Sequence, residues 1–143
     1  MSTLKKTTEG FINLLHLPDG VWRNFVLFGL AIFFTYTGID HFVNAEFYLS
    51  IMPPYFPLHE EAVYISGFFE VLGGVGVLVP QFRKIAGWGL FLLLIAVYPA
   101  NIYMAITPEA FPKIPISLLY FRLVLQFFFL YWAYIVTRPS YIS

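Results

Sequence analysis

Four long apolar runs, parted from one another by prolines, organise this chain. They cover residues 24–42, 62–79, 85–107 and 116–137. The breaks fall at Pro53, Pro54 and Pro57, at Pro80, at Pro108, Pro112 and Pro115, and at Pro139. None of the runs alternates apolar with polar positions, and each exceeds the roughly 4–8 residues of a buried strand. A helix needs about 20 apolar residues to cross the hydrocarbon core of a bilayer. The pattern therefore predicts an all-α fold, a four-transmembrane-helix bundle whose second span is short and glycine-rich. Residues 1–22 read as an interfacial lead-in and residues 23–143 as the membrane domain. Within the lead-in, Phe11, Ile12, Leu14 and Leu15 suit a weakly amphipathic turn on the membrane surface, and Leu17-Pro18-Asp19-Gly20 reads as a turn. Lys5 and Lys6 stand well before the first apolar run, and no small-residue cleavage site follows that run. It reads as a retained helix and not as a secretory signal.

Composition agrees with this pattern. The chain is 59% apolar and 11% charged, against about 45–50% and about 25% in a soluble domain. A water-facing shell cannot be built from that stock, so the lipid bilayer is the expected partner. The formal net charge is zero, and the few basic residues form no stripe for nucleic acid. There is no cysteine, which excludes dithiol exchange and thiolate metal sites. The basic residues are also unevenly placed. Lys5, Lys6, Arg23, Arg83, Lys84 and Arg138 fall on one side of a four-span topology, and only Lys113 falls on the other. By the positive-inside rule both termini are cytoplasmic. The 43–61 loop, with Glu46, Glu60 and Glu61, then faces outward, and its Met52-Pro53-Pro54-Tyr55-Phe56-Pro57 stretch suits the interface.

The candidate chemistry lies in the polar residues inside these runs: Asp40 and His41 in the first, Glu70 in the second, Asn101 in the third, Arg122 and Gln126 in the fourth. A charge in hydrocarbon costs about 2.5–3.5 kcal/mol on insertion scales, so such groups pair with one another or line a polar cavity. At about 1.5 Å per residue, Glu70, Asn101 and Arg122 reach a similar depth, with Asp40 and His41 above them. The faces agree as well. Ser66, Glu70 and Gly74 repeat every fourth residue, Arg122 shares a face with Gln126, and Thr37 shares one with His41. Gly73 and Gly76 beside this stripe suit close helix packing. Pro99 removes a backbone donor and frees the Ile95 carbonyl for the bundle interior. Glu70 and Arg122 read either as an ion pair that fixes helix register or as site residues. Asp40 and His41 read either as a hydrated cap on the first span or as part of the chemistry. One intramembrane histidine without a second His or a Cys makes a poor metal site, so no metal is expected. Bis-histidine haem, which needs His41 with His16 or His59, ranks low. No Walker loop, dinucleotide fingerprint, H-E-x-x-H or G-x-S-x-G occurs.

Gly38-Ile39-Asp40-His41-Phe42, Ile51-Met52-Pro53-Pro54, Ser66-Gly67-Phe68-Phe69-Glu70 with Gly73, Gly76 and Pro80, and Pro99-Ala100-Asn101-Ile102-Tyr103-Met104 together resemble the DoxX-like family of small bacterial membrane proteins. The likeness runs from about Phe25 to Thr137. It implies a four-helix bundle in the bacterial inner membrane. The family takes its name from a membrane subunit associated with quinone-linked sulfur oxidation. Other members associate with oxidoreductases, and distant eukaryotic relatives assist receptor assembly. His41, Glu70, Asn101 and Arg122 match its polar pattern.

Two functions follow as expectations. In the first, an outward-side pocket holding Asp40, His41, Glu70, Asn101, Arg122 and Gln126 binds a quinone or similar small amphiphile as part of a redox-associated membrane subunit. In the second, the polar cluster only holds the bundle together, and the aromatic fourth span with the proline-rich loop recruits a partner membrane protein or oxidoreductase. Whether the chain catalyses anything stays open at this level. A proton or solute carrier ranks last, because no inverted repeat is evident.

Overall fold

The computed structural model describes residues 9–10 and 13–142. The elements are α1 (Val21–Val43), α2 (Ala45–Ser50), α3 (His59–Gly76), α4 (Arg83–Ile106), a 3-10 turn at Pro108–Ala110, α5 (Ile116–Ile135) and α6 (Pro139–Ile142). No strand occurs among the described residues. Of the four long helices, α1, α4 and α5 are long and apolar enough to cross a membrane. α3 has 18 residues and carries Glu60, Glu61 and Glu70, and these charges set it apart from the other three. Phe11 and Ile12 of the expected surface turn lie outside the described residues. Leu14 is exposed, and Leu17 packs against the core.

Small residues decide how the helices meet. Gly38 and Gly67 form the crossing of α1 with α3. A Cβ on Gly38 would stand 2.7 Å from the Gly67 carbonyl, and one on Gly67 would stand 2.5 Å from the His41 Cβ. Further along, a Cβ on Gly74 would meet the Thr35 amide at 2.7 Å. Gly73 admits the Leu90 side chain and Gly76 faces Ala86, which joins α3 to α4 near the connection at residues 77–82. Without a hydrophobic drive between helices in lipid, this close backbone approach is what packing depends on. α5 is fastened to α1 by the Trp132 indole, whose N–H donates to the Val26 carbonyl at 2.9 Å.

Two apolar clusters fill the interior. One includes Leu27, Leu30, Phe34, Val77, Leu90, Leu94, Ala133 and Val136. The other, at the end that holds the 43–61 loop, comprises Ile51, Met104, Phe111 and Leu119. This second end is called the lid end below, and the opposite one the terminal end.

Arg83 organises the terminal end. It is wholly buried, and its five N–H groups reach five carbonyl oxygens. Nε donates to Val77 at 2.8 Å. Nη1 donates to His16 at 3.1 Å and Tyr141 at 2.7 Å. Nη2 donates to Leu15 at 2.9 Å and Leu78 at 3.4 Å. The lead-in, the 77–82 connection and α6 therefore share one end of the bundle. The sequence reading used Arg83 as a surface charge that sets orientation; here its charge is taken up by backbone dipoles.

Candidate functional site

Between the two apolar clusters lies a cavity of about 350 Å³. Its polar lining comes from four helices and the short α2: Thr37 and His41 from α1, Tyr48 from α2, Ser66 and Glu70 from α3, Asn101 from α4, Arg122 and Gln126 from α5. Five of the six residues singled out from sequence thus face one chamber.

His41 is oriented from two sides. Its Nδ1 lies 3.0 Å from the Val63 carbonyl and 3.1 Å from the Ser66 hydroxyl, which itself donates to Val63 at 2.9 Å. A carbonyl only accepts, so Nδ1 carries the proton and Nε2 is left as the exchangeable nitrogen. Nε2 faces Glu70 Oε2 at 3.5 Å. The Tyr48 ring stacks on the imidazole, with centroids 3.8 Å apart. Glu70 is buried, and its Oε2 has no hydrogen-bond partner among the described residues. A carboxylate oxygen in that position is costly unless a donor meets it.

The expected pairing of Glu70 with Arg122 does not form. Arg122 instead donates from Nε and Nη2 to Asn101 Oδ1, at 3.2 and 3.1 Å. Asn101 Nδ2 donates to Gln126 Oε1 at 3.2 Å, and Gln126 Nε2 donates to the Leu94 carbonyl at 2.8 Å. Because Arg122 can only donate, it fixes both amides and gives the chain of bonds one direction. The physical reason for the different pairing is helix rotation. Residues on separate helices at one depth meet only if both faces turn together, and each residue step turns a face by about 100°. The α4 segment also differs from expectation in detail. The helix runs through Pro99, and the carbonyl caught from across the bundle is that of Leu94, not Ile95.

Asp40 is the residue that leaves the cavity lining. Its carboxylate accepts from Asn44 Nδ2 at 2.5 Å and from the Tyr48 hydroxyl at 2.8 Å. It holds the Tyr48 hydroxyl while the Tyr48 ring stacks on His41. Burial, then the hydrogen bond to Asp40, hold the Tyr48 phenol well above its ordinary pKa.

Sequence reasoning missed the lid. Ile51, Met52, Pro53 and Phe56 line the cavity, and Pro53 is wholly buried. His59 Nε2 lies 3.1 Å from the Pro53 carbonyl and ties this loop to the start of α3. The stretch expected at the interface therefore covers the chamber with Met52 and Pro53, while Pro54, Tyr55, Phe56 and Pro57 stay exposed. The signal was present in Ile51-Met52-Pro53, an apolar run too short to span but long enough to cover. Phe129, in the aromatic stripe of the fourth span, also turns inward and stacks on Phe33 at 4.7 Å, whereas Phe127 and Phe128 are exposed.

Among the described residues no group of three or more His, Asp or Glu side chains is placed to hold a metal. Apolar side chains crowd the exposed faces of α1, α4 and α5, and together with their length they define a helical membrane protein with a polar chamber in its interior. The chain belongs to the family described as a domain of unknown function, DUF8561, which matches residues 30–137. No curated protein and no solved structure matches it.

Proposed function

We propose that this chain is a DoxX-like membrane protein that crosses the bilayer four times, with both termini cytoplasmic. Its chamber binds the polar head of a quinone-like small amphiphile, in the service of a partner oxidoreductase of the bacterial inner membrane. One observation carries this reading. Among the described residues Glu70 Oε2 is buried without a donor, faces His41 Nε2 across 3.5 Å, and shares a 350 Å³ cavity with the Arg122 guanidinium. That volume falls within the range of about 300–1,000 Å³ typical of small-molecule sites. A ring bearing oxygens on opposite edges suits it. One oxygen accepts from Arg122, the other donates to Glu70 when reduced, and His41 exchanges the proton.

The test is thermal. Short-chain quinones and quinols added to the purified protein in mild detergent raise its melting temperature, and Glu70→Gln removes the rise. A flat response to every quinone and quinol tried would sink this reading. Orientation is tested separately. A reporter fused at residue 143 is active only in the cytoplasm, and a reporter inserted after Tyr55 only outside.

A further inference from the structure

The same cavity shows where its occupant enters. A residue that lines a cavity and is also well exposed stands at its mouth. Four lining residues meet that description: Phe56, Ile65, Ala96 and Pro99. Ile65 is 55% exposed. All four are apolar. Ala96 lies ten residues before the lid end of α4 at Ile106, about 15 Å along the helix axis. Ile65 lies six residues after the start of α3 at His59, about 9 Å in. In a hydrocarbon core about 30 Å thick, both depths face acyl chains rather than water.

The route from the lid end is closed except at Phe56, the lid's one exposed lining residue. Ile51 is 6% exposed and Pro53 under 2%, and Tyr48, held by Asp40, closes over His41. At the terminal end α3 and α4 are clamped where Gly73 takes Leu90 and Gly76 meets Ala86. Above that clamp the facing residues of the two helices border the cavity.

We propose that the chamber is loaded sideways from the bilayer, through a gap between α3 and α4, by an amphiphile dissolved in the membrane. Its head carries a hydrogen-bond donor for Glu70 and an acceptor for Arg122, and its apolar tail stays in the mouth between Ile65 and Ala96. The inference rests on the ligand-binding reading of this cavity, but access is measured without any quinone.

The chain has no cysteine, so one introduced thiol reports alone. Ala100→Cys places a thiol in the cavity lining, and Glu46→Cys places one on exposed surface. Both are reconstituted in lipid nanodiscs and treated with an N-alkyl maleimide, which partitions into lipid, or with a sulfonated maleimide, which stays in water. Relative to the Glu46→Cys control, the alkyl reagent labels Ala100→Cys at least about tenfold faster than the sulfonated one. Adding Ala96→Trp or Ile65→Trp slows the alkyl reagent by about the same factor. Both tryptophans replace exposed residues, and unchanged melting of the double variants confirms folding. Equal labelling by both reagents, labelling by neither, or indifference to both tryptophans would overturn lateral loading. If labelling follows the lateral pattern while quinones leave the melting temperature unmoved, the entry route stands and the quinone reading fails. If quinones bind but the water-borne reagent wins, the reverse holds.

Discussion

Gly67 shows how much one absent side chain does in this molecule. It lies almost one turn from Glu70 on α3, and an added Cβ would come within 2.5 Å of the His41 Cβ and 2.9 Å of the Gly38 carbonyl. Neither neighbour is the far end of a flexible chain. Gly67→Ala therefore strains the α1–α3 crossing and displaces His41 together. Overpacking of this kind costs about 1–3 kcal/mol, read as a lower melting temperature with loss of any ligand-induced shift. Tyr48 gives a second prediction, in pH. Its phenol is raised in the folded state by burial first, then by the hydrogen bond to Asp40 and the nearby acids, with Arg122 opposing. A raised folded-state value means the stabilisation is complete below the unfolded tyrosine pKa of about 10 and fades as pH rises beyond it. The melting temperature of the native chain should fall above about pH 10 more steeply than that of Tyr48→Phe. At this scale the sequence was informative about which residues share the chamber and silent about their partners. A carboxylate, an imidazole and a guanidinium in hydrocarbon stand out because each is costly there. That Glu70 faces His41 while Arg122 faces Asn101 depends on helix rotations that spacing along one helix does not encode.

The seam between α4 and α5 is the element on which the chamber's far wall depends. Arg122, Asn101, Gln126 and the Leu94 carbonyl form one directed run of hydrogen bonds across it. Such a run couples its members, so single deletions do not add. Asn101→Leu leaves the Arg122 guanidinium and the Gln126 Oε1 without their shared partner. A double-mutant cycle between Asn101→Leu and Arg122→Leu, followed by chemical or thermal denaturation, should give a coupling of about 0.5–3 kcal/mol. A value near zero would mean the guanidinium is held by something other than that amide. The long helices were readable in outline from hydropathy. α4 and α5 begin and end within about two residues of the apolar runs, a displacement usual for helix ends. α3 begins three residues before its run and ends three before it, because Glu60 and Glu61 suit a helix N-terminus, where the backbone dipole favours negative charge. The lid was legible only as the short apolar run Ile51-Met52-Pro53, and that Ile51 and Pro53 are buried depends on what lies beneath them.

At the scale of the whole molecule, two apolar clusters hold a polar layer between them, and Arg83 closes one end. Arg83→Gln strands several buried carbonyls at once, each costing about 1–3 kcal/mol when unsatisfied. The variant should melt far below the native chain, and Arg83→Lys, with three donors in place of five, should recover part of the loss. Deleting residues 1–20 removes the Leu15 and His16 carbonyls and should lower the melting temperature by less than Arg83→Gln does. Nothing in the local sequence around Pro80-Gln81-Phe82-Arg83 distinguishes this arginine from an ordinary cytoplasmic charge. Its role is set by segments distant in the chain.

That knot also imposes a timetable. A guanidinium that draws one acceptor from residue 15 and another from residue 141 is fully coordinated only after the segment that carries residue 141 has been made. The terminal end therefore tightens late, once both distant segments have reached it. Until then a basic group waits at the membrane surface in water, where its hydration is cheapest to keep.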